Sequence, residues 1–275
     1  MKIFLLTSLW VAAMAASTAG NPHELGPVPH LKIGNVTTQD GVELQYIQAG
    51  PPSGQQLLFI PGWRQTAAQW NKQIEYFSSA GYRVTTYDMR GHGDSAKPGF
   101  GYRLSRFGAD LNDVINSLSL CGVSVVAHSM GSSVTWAFWD QYPAQRRRVS
   151  RFVIDDQSSV LVQDPTWTMF TSSISQSDLD WMIKQNRKMS DAHAATLLIN
   201  HAFMDWRDVL PRIDIPALVL AGDASLNNAT GITWAASQIP GAQKYIFTKG
   251  EKGSHFAFWE NPELFNQVVE RFVTS

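Results

Sequence analysis

Apolar positions along the chain recur with two periods. From Leu31 to Thr37 and from Val42 to Gln48 apolar and polar residues alternate, and Asp40-Gly41 between the two runs is a turn signal that predicts a hairpin. Gln56 to Ile60 is a continuous apolar run stopped by Pro61-Gly62, which suits a buried parallel strand better than an edge. Gln69 to Ala80 reads as a helix ended by Gly81. Leu104 to Leu120 reads as another, with Phe107, Leu111, Val114, Ile115 and Leu118 three or four residues apart. Further strands are expected at Tyr82–Tyr87, Val123–Ala127, Phe152–Ile154, Ala217–Ala221 and Lys244–Phe247. Further helices are expected at Ser132–Tyr142 and Pro262–Val273. Strands that alternate with helices form βαβ units, so the pattern predicts one α/β domain around a mostly parallel sheet.

One stretch breaks the alternation. About fifty residues from Gln157 to Asp208 show helical spacing and no strand, with Ser177 and Asp191 as expected caps of helices running to Lys188 and Met204. Trp167, Met169, Phe170, Trp181, Met182, Leu197, Leu198, Phe203 and Met204 lie in it. Most of these must pack the insertion onto the body. An insertion at one end of a sheet also roofs a pocket, with Trp167 and Trp181 expected in its wall.

The first residues carry a different signal. Met1-Lys2, the apolar run Ile3 to Ala16 and small residues through Gly20 have the three parts of a secretory signal peptide, with cleavage after Ala15, Ala16 or Ala19. The run is too short to span a bilayer. The expectation is a secreted protein with a signal at 1–19, a domain over 20–275, and a cap over about 157–208. The sequons Asn35-Val36-Thr37 and Asn228-Ala229-Thr230 fit that route only weakly.

With 22 basic and 23 acidic residues the net charge is -1, so no electrostatic footprint for nucleic acid or an anionic membrane is present. The single cysteine, Cys121, excludes an internal disulfide and any multi-cysteine zinc site.

The chemistry gathers on one pentapeptide. Strand Val123–Val126 runs into Ala127-His128-Ser129-Met130-Gly131 and then into a helix. A tight turn with small residues at both ends, between strand and helix, is a nucleophile elbow that lifts Ser129 above the sheet edge. The helix behind it aims its N-terminus at Ser129, and the Met130 N–H points toward a developing oxyanion.

These residues, with Phe59-Ile60-Pro61-Gly62-Trp63, Asp88-Met89-Arg90-Gly91-His92-Gly93-Asp94-Ser95 and Gly253-Ser254-His255-Phe256, resemble the α/β-hydrolase superfamily from about Leu31 to Val273, in the branch with one cap after the sixth core strand. The resemblance implies a second oxyanion donor at Trp63, a merely structural turn over Arg90–Ser95, and His255 as the base. Two departures stand out. Pro61 replaces the usual histidine of the oxyanion loop, and Ser225 occupies the usual position of the acid. The resemblance then offers the end of the sixth strand, where Asp155 and Asp156 are adjacent and only one can face the site. Asp156 takes the strand-end position, with Asp223 and Asp155 as alternatives. His128 is expected to pack behind the elbow.

The resulting expectation is a cofactor-independent serine hydrolase, with no metal, that cleaves a small apolar carboxylic ester or lactone through an acyl-enzyme on Ser129, with His255 and Asp156 completing a triad. The resembling families that hydrolyse epoxides carry aspartate at the elbow, which Ser129 disfavours. The alternative is a non-hydrolytic enzyme of the same fold, such as the cofactor-free dioxygenases, which share the Pro61-Gly62-Trp63 loop and an acid after the sixth strand but tend to carry histidine where Gln65 stands. A binding protein that has lost the chemistry is favoured only by Ser225.

Overall fold

The apolar runs pair into a single sheet. The computed structural model describes residues 23–161 and 169–275; the expected signal at 1–19 and Trp167 lie outside them. The strands are β1 (Lys32–Thr37), β2 (Glu43–Ala49), β3 (Gln56–Ile60), β4 (Arg83–Tyr87), β5 (Val123–His128), β6 (Val149–Asp155), β7 (Ala217–Gly222) and β8 (Gln243–Phe247). Their order is β1-β2-β4-β3-β5-β6-β7-β8. Strand β2 runs antiparallel to β1 and β4, and every other pairing is parallel.

The continuous apolar runs of the central strands follow from helices on both faces. Leu58, Ile60, Val125, Ala127, Ile154 and Val219 face one core. Their neighbours Leu57, Phe59, Val126, Val153, Leu218 and Leu220 face the other, as the two-residue period of a strand requires. The first core is closed by α2 (Leu104–Ser117) and α3 (Met130–Gln141), the second by α1 (Asn71–Ser79) and the C-terminal α8 (Pro262–Val273), which follows the short α7 (Ala257–Glu260). Phe107, Leu111, Val114 and Ile115 of α2 are fully buried. At about 2 kcal/mol for each such side chain, their burial does more for α2 than its propensity.

Several elements differ from the sequence reading. Helix α3 begins at Met130 rather than Ser132, so Ser129 itself is the residue that caps it. The cap helices α4 (Gln176–Asn186) and α5 (Asp191–Ala202) are capped by Ser175 and Ser190, whose hydroxyls accept from the Asp178 N–H at 3.1 Å and the His193 N–H at 3.3 Å; Ser177 and Asp191 stand one or two residues inside. The helix α6 (Ala229–Gln238) has no counterpart in the expected series. Its core face is only Ile232, Ala235 and Ala236, too small a stripe to stand out against its small polar residues.

Candidate active site

Ser129 sits where β5 turns into α3, in the sparsely populated region at φ 51° and ψ −127°. A non-glycine residue there costs about 1–3 kcal/mol, and the surroundings must over-determine it. They do so from both sides: the Ser129 N–H donates to the Asp155 carbonyl at 2.8 Å, and the Ser129 carbonyl accepts from the Ser132 N–H at 2.8 Å. Gly131 is needed for contact, since a Cβ there would lie 2.7 Å from the carbonyl oxygens of Ile60 and Pro61. The elbow therefore presses directly against the loop after β3.

That loop is a turn closed twice. The Gly62 carbonyl accepts the Gln65 N–H at 3.2 Å, while the Gly62 N–H donates to Gln65 Oε1 at 2.7 Å. Arg64 takes φ 58°, and its N–H donates to His92 Nε2 at 3.1 Å. Among the described residues neither the Trp63 nor the Met130 N–H donates to another protein group. Both are thus available to an incoming oxygen.

His92 braces this loop from the Arg90–Ser95 turn, with Nδ1 donating to the Arg90 carbonyl at 3.0 Å. Burial lowers its pKa to about 4, so it is neutral at pH 7. The unfolded chain takes up this proton near pH 6.5, and the folded one resists it to about 4. Stability should therefore fall as pH drops across that window. In His92→Gln, which keeps one donor and one acceptor, the urea-unfolding free energy relative to wild type should change by about 3 kcal/mol over the same window. A difference that does not vary with pH would show that His92 is not held neutral.

His255 follows β8 on a loop that crosses close over the end of β7. A Cβ on Gly222 would lie 2.2 Å from the Gly253 carbonyl, so only glycine permits the crossing. His255 Nδ1 donates to Asp156 Oδ2 at 2.5 Å, with both side chains almost fully buried. Asp156 stands just past β6 at φ 51°, a conformation its short polar side chain tolerates. Its Oδ1 accepts the Gly222 N–H at 3.2 Å, and its Oδ2 also accepts the Ser225 hydroxyl. Asn227 donates to the Asp156 carbonyl at 2.5 Å. Ser225 thus contributes a hydroxyl to the carboxylate of Asp156. Asp223 is exposed. Asp155 is buried, with no partner for its Oδ2 among the described residues. Burial, reinforced by the charge of Asp156, raises its pKa well above the usual carboxylate range.

Ser129 and His255 share a cavity of about 260 Å³ with Trp63, Gln65, Leu161, Met169, Leu198, His201, Leu226 and Asn227. The cap forms its roof and is tied to the loop after β3: Trp63 Nε1 donates to the Ala194 carbonyl at 2.9 Å, and Arg64 reaches the Asn186 and Met189 carbonyls and Asp191. Trp181 is a correction to the sequence reading. It stacks on Trp259 and His23, with ring centroids 5.0 and 5.1 Å away, and does not line the cavity. Its helix faces the α1/α8 core with that edge. Trp167 lies outside the described residues. No pattern in the chain singles out His201 or Asn227, which join Gln65 here only through the fold. His201 of the cap bonds Ser133 Oγ at 3.1 Å, one turn beyond Ser129, and burial lowers its pKa to about 4.

Among the described residues no three His, Cys, Asp or Glu side chains are grouped to hold a metal ion, and no helix is long and apolar enough to cross a membrane. Comparison with known proteins agrees with this architecture. A family model described as alpha/beta hydrolase fold matches residues 56–198. The non-heme chloroperoxidase of Streptomyces lividans is 38% identical over 99 residues, a match that spans only 36% of either chain. Epoxide hydrolase 1 of Caenorhabditis elegans is 36% identical over 277 residues, covering 84% of this chain and 68% of that one. The crystal structure of a bromoperoxidase from Bacillus anthracis superposes with a TM-score of 0.81 at 21% identity, over 89% of this chain and 100% of the other.

Proposed function

The chain belongs to the α/β-hydrolase fold family, and from that premise we propose that it is a secreted serine hydrolase that cleaves a small apolar carboxylic ester or lactone without a cofactor. The observation that carries the reading is the convergence on one cavity of Ser129 at a strained elbow, His255 bonded to Asp156, and Trp63, whose N–H, like that of Met130 at the start of α3, is unengaged among the described residues. His255 takes the Ser129 proton as Oγ attacks the acyl carbon, and Asp156 keeps the imidazole proton on Nδ1 so that Nε2 is free to receive it. The Trp63 and Met130 N–H groups hold the oxyanion, each worth about 3 kcal/mol of barrier. His255 returns the proton to the leaving alcohol, then activates the water that clears the acyl-enzyme.

The chemistry of a serine nucleophile argues against the reaction in the name of the Caenorhabditis elegans relative. Attack of Ser129 on an epoxide carbon would leave an ether, which has no carbonyl for water to attack, so the cycle could not close. An ester or lactone leaves an acyl-serine that can be hydrolysed. The apolar wall of Trp63, Leu161, Met169, Leu198 and Leu226 and the modest volume favour a small acyl group or ring. The N-terminal export pattern supports secretion.

The reading is tested by intact-mass analysis after treatment with a fluorophosphonate. One adduct on the wild type, absent from Ser129→Ala, together with hydrolysis of short-chain esters, is the expected result. A folded wild type that takes no adduct would overturn it.

A further inference from the structure

Resting on that reading, we propose that Gln65 and His128 are positioning residues: they form a buried, one-way hydrogen-bond relay that holds the oxyanion loop and the base loop in register across the nucleophile elbow. Neither residue is given work by the reaction itself, and both are almost completely buried.

The direction of every bond is fixed by elementary chemistry. His128 Nε2 lies 2.7 Å from the His255 carbonyl, which can only accept, so Nε2 carries the proton. Burial, with the neighbouring His255, pushes the His128 pKa well below its ordinary value, so the ring is neutral and Nδ1 is bare. Gln65 Oε1 also lies 3.1 Å from Nδ1, but two bare acceptors cannot bond each other, so Gln65 Nε2, 2.9 Å away, is the donor. That leaves Gln65 Oε1 as an acceptor, and it takes the Gly62 N–H at 2.7 Å. The three bonds agree on one orientation of the amide and one tautomer of the ring, from Gly62 through Gln65 and His128 to His255. Gly62 adjoins the Trp63 donor, and a Cβ on Gly62 would lie 3.1 Å from Ser129 Cβ. Pro61 can offer no side-chain bond to steady this loop. Trp70, Phe256 and Phe258 pack around the ring of His128.

Of the common side chains only an amide both accepts from Gly62 and donates to a bare Nδ1 at this length. Gln65→Met keeps the shape and loses both bonds. Two measurements test the proposal. In nitrogen-15 spectra of the wild type, His128 should show Nε2 protonated and Nδ1 bare at pH 5–8, with the Nδ1 resonance moving in Gln65→Met. In fluorophosphonate inactivation, Gln65→Met should lower the maximal rate about 10- to 100-fold, the scale of a small misplacement of reacting groups, while the half-saturating concentration stays near wild type. A general loosening of the cavity would instead raise that concentration. A proton on Nδ1, or an unchanged maximal rate, overturns the relay while leaving the hydrolase reading intact. A wild type that takes no adduct defeats that reading instead; the spectra then decide whether the relay exists, and its role in positioning falls with the reading. Should Gln65→Met fail to fold, Gln65→Glu substitutes, since its carboxylate still accepts from Gly62 but cannot donate. It is expected to draw a second proton onto His128 and to slow inactivation on the same scale, and a neutral His128 at wild-type rate overturns the proposal.

Discussion

Replacing Asp156 by asparagine is expected to lower ester turnover about 10⁴-fold, the loss typical when the orienting acid of a serine hydrolase becomes an amide. The reason lies in the donors around the carboxylate. Its Oδ1 faces the Gly222 N–H, and its Oδ2 faces His255 Nδ1 and the Ser225 hydroxyl. An asparagine has one oxygen for these two places. With the oxygen toward His255, its NH₂ meets the Gly222 N–H, a backbone donor that cannot turn away. With the oxygen toward Gly222, its NH₂ faces Nδ1; the ring can respond by moving its proton to Nε2, and the Ser225 hydroxyl can rotate. The second arrangement is the cheaper, and it removes the nitrogen that must receive the Ser129 proton. Steady-state kinetics on a short-chain ester, with the urea midpoint as a check on folding, measures the effect. Asp223→Asn, at an exposed position, should behave as wild type. The opposite pattern would move the acid from β6 to β7.

This choice between acids shows what the sequence could and could not disclose. The elbow was legible because its chemistry is local: strand, small residues and helix stand within about a dozen positions. His255 was legible by its place after the last strand. The acid was harder, because Asp155 and Asp156 differ by one position at a strand end, where the two-residue alternation gives way. It is the left-handed backbone at Asp156 that swings its carboxylate over β7. No pattern in the chain announces that conformation. Ser225 stands where the resemblance expects an acid, and in the fold its hydroxyl bonds Asp156 at the end of the neighbouring strand. Trp181 erred for another reason: the composition of a cap names its apolar residues without saying which side of α4 meets the cavity and which meets Trp259. Gln65 and His128 are 63 residues apart and meet through the register of β3 on β5, which only pairing creates.

Asp155→Asn should have the opposite consequence from its neighbour, a more stable protein with turnover at the wild-type level. Asp155 extends from the face of β6 that carries Val153, beside His128 of β5, and its Oδ2 is buried without a hydrogen-bond partner among the described residues. Burial and the Asp156 charge both favour the protonated form. The unfolded chain releases this proton near pH 4, whereas the folded chain retains it to much higher pH, so the native state binds more protons and loses stability as pH rises from about 4. Asparagine has the shape of the neutral carboxyl and no proton to retain. The substitution should therefore stabilise by a few kcal/mol at pH 8, the free energy of retaining a proton that the unfolded chain gives up near pH 4, and the gain should vanish by about pH 4. Urea unfolding of the two proteins across that range is the measurement. A gain that does not depend on pH would place its origin in packing, and a loss at pH 8 would mean that Asp155 is ionised in the fold. Activity supplies an independent check: because a neutral group replaces a neutral group, the charge on Asp156 and its bond to His255 are undisturbed.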